Sequence, residues 1–293
     1  MRLSTSTNIY FNRPGGFKGD LEQCIHYCGE GGFRNMDISF LDYTNFRFPI
    51  VTEGYLKWVD RALEAADTYG IRFGQAHAPF YNFCDPYAKN KEEQDRMILR
   101  SIECASRMGV KWMAIHAGTD YTSGRMRQGS KEKNLEYFLP VVEYAAKMNV
   151  GIAFENLWDF NIAPKKRYTA NVEDLVDLVD AFRAENVCVC FDIEHAVISG
   201  LDPVKELEVI GDRLRSTHIS DCIDVVADHL LPFYGITDWK PFMHALRKMD
   251  YQGDFAFEIH RYTQYMPDDL VPGAVERALE VGNYLLSMAN EQE

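Results

Sequence analysis

The chain has 293 residues, 46% of them hydrophobic, which suits one barrel of about 250 residues with its loops. Acidic residues outnumber basic ones 44 to 31, giving a net charge of −13, and no basic run follows the pattern of a phosphate-backbone binder, so a nucleic-acid partner is disfavoured. The opening MRLSTSTNIYFNRPGG lacks the apolar core of a secretory signal, and no apolar stretch reaches the roughly 18 residues of a membrane helix, so a soluble, cytoplasmic protein without a membrane partner is expected.

Eight short β-rich strings alternate with longer helical patterns, the signature of parallel βαβ units. The strings are residues 2–9, 33–39, 71–77, 112–116, 151–155, 187–192, 215–219 and 255–259. Before the second string, Cys24 and Cys28 share one helical face while His26 points elsewhere, which reads as an ordinary barrel helix. Gly29, Gly31 and Gly32 then make the turn into the strand. With Cys84, Cys104, Cys188, Cys190 and Cys222 the cysteines number seven, without C-x-x-C spacing, and are expected to be reduced and mostly buried.

Leu56, Val59, Leu63 and Ala66 fall on one helical face ahead of a C-capping Gly70, and residues 95–108 repeat the pattern before Gly109. A helix over 134–148 is interrupted by Pro140, which either kinks it or marks its true start. Asn171 caps a helix over 172–182, and Pro272 suits the first turn of a final helix to residue 286. The longest loops are expected at 80–90 and 120–129. No linker or composition break divides the chain, so residues 1–293 read as a single (β/α)8 barrel, an α/β fold.

The strings close on a repeating set of polar residues: Asp37, His77, His116, Glu155, Asp192, His218 and Glu258, spaced 40, 39, 39, 37, 26 and 40 residues apart. In a parallel barrel all strand C-termini open on one face, so these residues converge on one mouth. Four carboxylates and three histidines in so small a volume repel one another, and a bound cation is the direct explanation. Asp37 is the weakest member, since it can simply bond a neighbouring loop.

The surrounding motifs are AHAPF at His77, AIHAG at His116, FENLWD at Glu155, CFDIEHAVISG at Asp192, HISD at His218, DHLLPFYGITDW at His229 and FAFEIH at Glu258. In this order, over nearly the whole chain, they resemble the xylose-isomerase-like TIM barrels, the superfamily of sugar isomerases, ketose 3-epimerases and endonuclease IV. The resemblance implies a metal site of Glu155, Asp192, His218 and Glu258, with His195 of the D-x-x-H motif lining a substrate pocket. It also implies that Glu155 and Glu258 move protons on either face of a bound sugar.

The nuclease pattern has histidines where His77, His116, His195 and His229 stand, but its aspartate two residues before His229 is replaced by Ala227, with Asp228 out of phase. His77 and His116 can complete a second metal site bridged by Glu155, or contact a sugar hydroxyl. Phe80, Tyr81, Trp158, Phe160, Phe233, Tyr234 and Trp239 concentrate after strands, where they can stack on a sugar or simply pack their loops. Lys165, Lys166, Arg167, Arg125, Arg127 and Arg261 are candidates for a substrate phosphate, a solvated run being the plainer reading of the lysines. No dinucleotide fingerprint, P-loop or serine elbow occurs.

The expected function is a sugar isomerase or epimerase dependent on one divalent metal, working through a metal-bound enediolate and paired glutamates. Mn²⁺ suits the oxygen-rich ligand set best, with Mg²⁺, Co²⁺ or Zn²⁺ also accommodated. The substrate-binding set is His77, His116, His195, His229, Trp158 and Arg261, and the partner is a small sugar or sugar derivative, with a homo-oligomer possible. The alternatives are an endonuclease IV-like zinc phosphodiesterase and a sugar-binding barrel without catalysis.

Overall fold

The eight β-rich strings form β1 (Arg2–Ser6), β2 (Asn35–Ser39), β3 (Arg72–His77), β4 (Trp112–His116), β5 (Gly151–Glu155), β6 (Val187–Asp192), β7 (Leu214–Ile219) and β8 (Asp254–Phe257). In the computed structural model, which describes residues 1–45, 47–159 and 166–289, they close in sequence order into a parallel barrel, β8 pairing with β1. The surrounding helices are α1 (Leu21–Glu30), α2 (Tyr55–Tyr69), α3 (Lys91–Met108), α4 (Met126–Lys147), α5 (Val172–Phe182), α6 (Ile193–Ile198), α7 (Pro203–Ile210), α8 (Trp239–Lys248), α9 (His260–Thr263) and α10 (Val271–Met288). No helix among the described residues is long and apolar enough to cross a membrane.

The capping signals act as the sequence suggests. Asn171 accepts from the Glu173 N–H at 2.8 Å to start α5, and Gly70 ends α2 in the left-handed conformation at φ 63°. The helix expected to falter at Pro140 runs straight through it, beginning already at Met126, so the loop expected over 120–129 ends four residues early. Pro140 lies on the exposed side of α4, where the carbonyl it frees can bond to water, while Asn134, Phe138, Val141 and Ala145 anchor the buried side.

Two strands stop short of the strings that predict them. Ser6 Oγ accepts from the Asn8 N–H, and Thr7–Tyr10 becomes a 3₁₀ turn that carries Asn8 into the barrel mouth. β8 stops at Phe257, so Glu258 stands one residue beyond the strand. The longest connection was not anticipated: residues 220–238, between β7 and α8, are held by buried Asp221, whose carboxylate accepts from the N–H groups of Phe233, Gly235 and Thr237 at 2.9–3.1 Å.

Outside the strands the core is aromatic, with Phe154 of β5 packed on Phe138 of α4 and Phe182 of α5 at ring distances of 5.0 and 5.2 Å. A separate cluster is built of small residues, Ala114, Ala153, Cys188 and Cys190, with Trp112 against it. Gly151 is required beside that indole, because a Cβ there would stand 2.1 Å from the Trp112 ring. Gly151→Ala is expected to destabilise the barrel by about 1–3 kcal/mol through overpacking. Urea unfolding reads this as a lowered midpoint, whereas Gly124→Ala, in open space, leaves the midpoint unchanged.

Candidate active site and metal centre

Parallel register places the strand-end residues side by side: His116 opposite Glu155, and Asp192 opposite His218. Glu258 joins them from just beyond β8, and one ligand atom from each of Glu155, Asp192, His218 and Glu258 lies within 4.8 Å of all the others. The first three are fully buried or nearly so, and Glu258 is turned towards the opening.

His218 is the hinge of this group. Its Nε2 meets Asp37 Oδ2 at 3.1 Å, while its Nδ1 lies 3.0 Å from Glu155 Oε1 and 3.5 Å from Glu258 Oε2. Asp37 is itself fixed by Gln75, which donates to the same oxygen at 2.8 Å. The least specific of the seven strand-end residues thus orients an imidazole from behind, as an outer carboxylate does for a metal-bound histidine. It bonds a side chain of the site rather than a loop.

The charges are not balanced by protein groups alone. Burial raises Asp192 to about 7, reinforced by Glu155 and Glu258. Glu258 moves the other way: burial works against its charge, but His218, His229 and His77 pull it down to about 2. Burial likewise opposes ionisation of Glu155, and His218, His116 and His77 overcome it, holding the carboxyl well below its usual range. Glu155 Oε2 and Asp192 Oδ2 are buried without a well-formed hydrogen bond. Three carboxylates and one imidazole with unfilled acceptor atoms fit a divalent cation.

The other nominated residues divide between this centre and the rim. His77 Nε2 and His116 Nε2 both face Glu155 Oε2, at 3.2 and 3.3 Å. They differ in charge: burial lowers His77, but the Glu155 carboxylate outweighs it and raises the pKa to about 9, whereas for His116 burial wins and the value falls to about 4. Phe80 covers His116 with ring centres 3.8 Å apart. His195 bonds through Nδ1 to the Asn156 carbonyl at 2.7 Å and is kept neutral chiefly by burial, its pKa falling to about 4. Its Nε2 lies 3.7 Å from Asp192 Oδ2.

Trp158 lies 6.4 Å from the His195 ring and carries the Arg167 guanidinium over its face at 3.8 Å. His229 reaches the rim from the 220–238 connection, and Arg261 is occupied by Asp228. Arg127 pairs with Asp174, Tyr81 donates to Asp95, and Trp239 is buried beneath the loop, so these three face away from the centre. Phe233 and Tyr234 are exposed, as is Arg125. Phe160 and Lys165 lie outside the described residues. Cys24 and Cys28 are buried on α1, with His26 against Tyr69.

Several residues that shape the site were not nominated. Asn8 donates to Glu258 Oε1 at 3.1 Å. Asn156 locks the Asp192 backbone, donating to its carbonyl at 2.8 Å and accepting from its N–H at 2.7 Å. Asp42 is raised to about 7, mainly by burial, and Glu194 to about 9 by burial and Asp192. Asn156 and Glu194 sit inside quoted motifs beside nominated residues, whereas nothing in the spacing marks Asn8.

Known proteins resemble the chain to different extents. The chain is 28% identical over 182 residues to the uncharacterized protein y4fM of Sinorhizobium fredii, a stretch that covers 60% of this chain and 56% of that one. It is 24% identical over 140 residues to D-psicose 3-epimerase of Enterocloster bolteae, covering 47% and 43% respectively. The chain thus spans about half the length of each of these two curated relatives. The solved structure of D-psicose 3-epimerase from Clostridium cellulolyticum H10 with D-tagatose superposes with a TM-score of 0.75 at 17% identity, over 98% of this chain and 99% of that one, and so shares its fold. The model of the xylose isomerase-like TIM barrel family matches residues 25–281, and the chain belongs to that family.

Proposed function

We propose that the protein is a divalent-metal-dependent sugar isomerase or epimerase, with the cation held by Glu155, Asp192, His218 and Glu258 and protons moved by Glu155 and Glu258. The observation that carries this reading is the convergence of two ionised glutamates, from β5 and from beyond β8, on the Nδ1 side of one histidine. The 3-epimerase names of a relative and of structural neighbours support it. When bound, the cation would polarise a sugar carbonyl and acidify the adjacent C–H.

The protein's own groups supply the rest. Glu258 faces the mouth with one hydrogen bond from Asn8, which leaves a carboxylate oxygen to accept the carbon-bound proton. Glu155, which meets the same His218 nitrogen from β5, would return a proton, with His77 as its neighbouring donor. His195 offers Nε2 to a sugar hydroxyl, and Phe80 and Trp158 can cover the apolar face of the ring and exclude water. His229 and Arg261 line the same rim.

The expected result is interconversion of a ketose or aldose with its isomer or epimer, abolished by a chelator and restored by Mn²⁺. Chromatography over a sugar panel checks this, and activity that survives chelation with the metal demonstrably removed would overturn the metal dependence. One observation favours a second reading, metal-assisted phosphodiester hydrolysis: His77, His116 and Glu155 form a further three-ligand group that shares Glu155 with the first. Incision of abasic DNA with added zinc, and no sugar turnover, would select it.

A further inference from the structure

At the rim, outside the four-ligand centre, three side chains that can ligate a metal, Glu194, Asp228 and His229, face one another. Glu194, in the first turn of α6, is 0% exposed. Its Oε2 is fixed by the Ser220 hydroxyl at 2.9 Å and the His229 N–H at 2.6 Å. Its Oε1 is buried and has no hydrogen-bond partner. That oxygen faces His229 Nε2 at 3.6 Å.

His229 presents its second ring nitrogen there. Its Nδ1 donates to the Glu258 carbonyl at 3.1 Å, which leaves Nε2 facing Glu194. The residue holds a left-handed backbone, φ 48°, with Asp228 immediately before it. Asp228 is the third group, and one ligand atom from each of Glu194, Asp228 and His229 lies within 4.8 Å of the others. The Arg261 guanidinium touches Asp228 Oδ1 and offsets part of the acidic charge.

We propose that Glu194, Asp228 and His229 form a second divalent-cation site, distinct from the four-ligand centre, that fastens the 220–238 connection to α6. Two ligands about 2.1 Å from a zinc-class cation at a tetrahedral angle stand about 3.4 Å apart, close to the Glu194–His229 separation. One imidazole and two carboxylates suit Zn²⁺ or Mn²⁺, with water completing the shell. Glu194 lies on α6, just after β6, and Asp228 and His229 on the connection after β7, so the cation would tie one wall of the mouth to the barrel rim.

The test uses the full chain, loaded with Zn²⁺ and desalted, as parent, Glu194→Gln, His229→Ala and Asp192→Asn. Metal content is counted and hydrogen exchange is followed in peptides covering 220–238. Zinc is expected to slow exchange in that segment at least tenfold in the parent. Asp192→Asn should lose one equivalent yet keep the slowing, because asparagine preserves the cap on α6. Glu194→Gln and His229→Ala should each lose one equivalent and the slowing together. Should either variant not fold, Asp228→Asn serves, with zinc affinity at this site expected to fall at least tenfold. Unchanged zinc content in Glu194→Gln and His229→Ala, zinc-dependent slowing that persists in them, or unchanged affinity in Asp228→Asn would overturn the proposal and leave only water between these groups. Full zinc content in Asp192→Asn would instead count against the four-ligand centre alone.

Discussion

Asp192→Ala is expected to weaken cation binding at the four-ligand centre at least a hundredfold and to leave the barrel folded. Losing an outer partner of a metal site commonly costs 10–100-fold in affinity, and losing a ligand costs more. The fold has less at stake. Asn156 grips the backbone of Asp192 through both its N–H and its carbonyl, which the substitution preserves. The loss is the bond from the His195 N–H to Asp192 Oδ1 at 3.0 Å, the cap of α6, worth about 1 kcal/mol. That is small beside a stability of about 5–15 kcal/mol for an ordinary domain. Calorimetric titration with Mn²⁺ and a thermal melt check the two halves separately, and parent-like affinity would remove Asp192 from the ligand set.

Glu155→Gln should be more damaging to turnover than any other single change in the mouth, lowering kcat by about 10²–10⁴, the range for loss of a general acid–base group. Three histidines, His77, His116 and His218, face this one carboxylate at 3.0–3.3 Å. The substitution also has a signature independent of activity. In the metal-free parent the His77 pKa is raised to about 9, above its ordinary 6.5, so its contribution to stability is complete below pH 6.5 and is lost as the pH rises through 9. With the Glu155 charge removed, burial and His218 are opposed only by Glu258, and the His77 pKa should fall well below 9. A histidine NMR titration of metal-free Glu155→Gln reads this directly, and a His77 resonance still titrating near 9 would detach it from Glu155.

The barrel was legible because its signals are local and repeated. Apolar strings such as VCVCFD recur at the βα period, with Asn171 and Gly70 marking helix ends, and all but the first close on a polar residue that the closed parallel sheet must bring to one face. What escaped depends on contacts made across the mouth. Asn8 reads as part of a strand until Ser6 caps the turn that swings it towards Glu258. Glu194 looks like a surface helix residue until the 220–238 connection folds over it, and that fold rests on the Asp221 carboxylate, whose partners lie 12 to 16 residues on. Pro140 misleads for the opposite reason: it obeys a strong local rule, but on a helix whose buried side outweighs it. Asp37 reads as the weakest of the seven because its partner His218 is 181 residues away.

Carbon-bound hydrogen exchange tests the central claim most directly. With Mn²⁺ supplied and sugars incubated in D₂O, the parent should introduce deuterium at a carbon next to the carbonyl of a ketose or aldose, read by mass spectrometry alongside product formation. Glu155→Gln and Glu258→Gln should each suppress it. A phosphodiesterase has no reason to labilise such a proton, and a barrel that only binds sugar does not accelerate exchange. Product without deuterium would replace the glutamate proton transfer by a hydride shift. Neither exchange nor product across free and phosphorylated sugars, with both glutamine variants indistinguishable from the parent, would contradict the isomerase or epimerase reading.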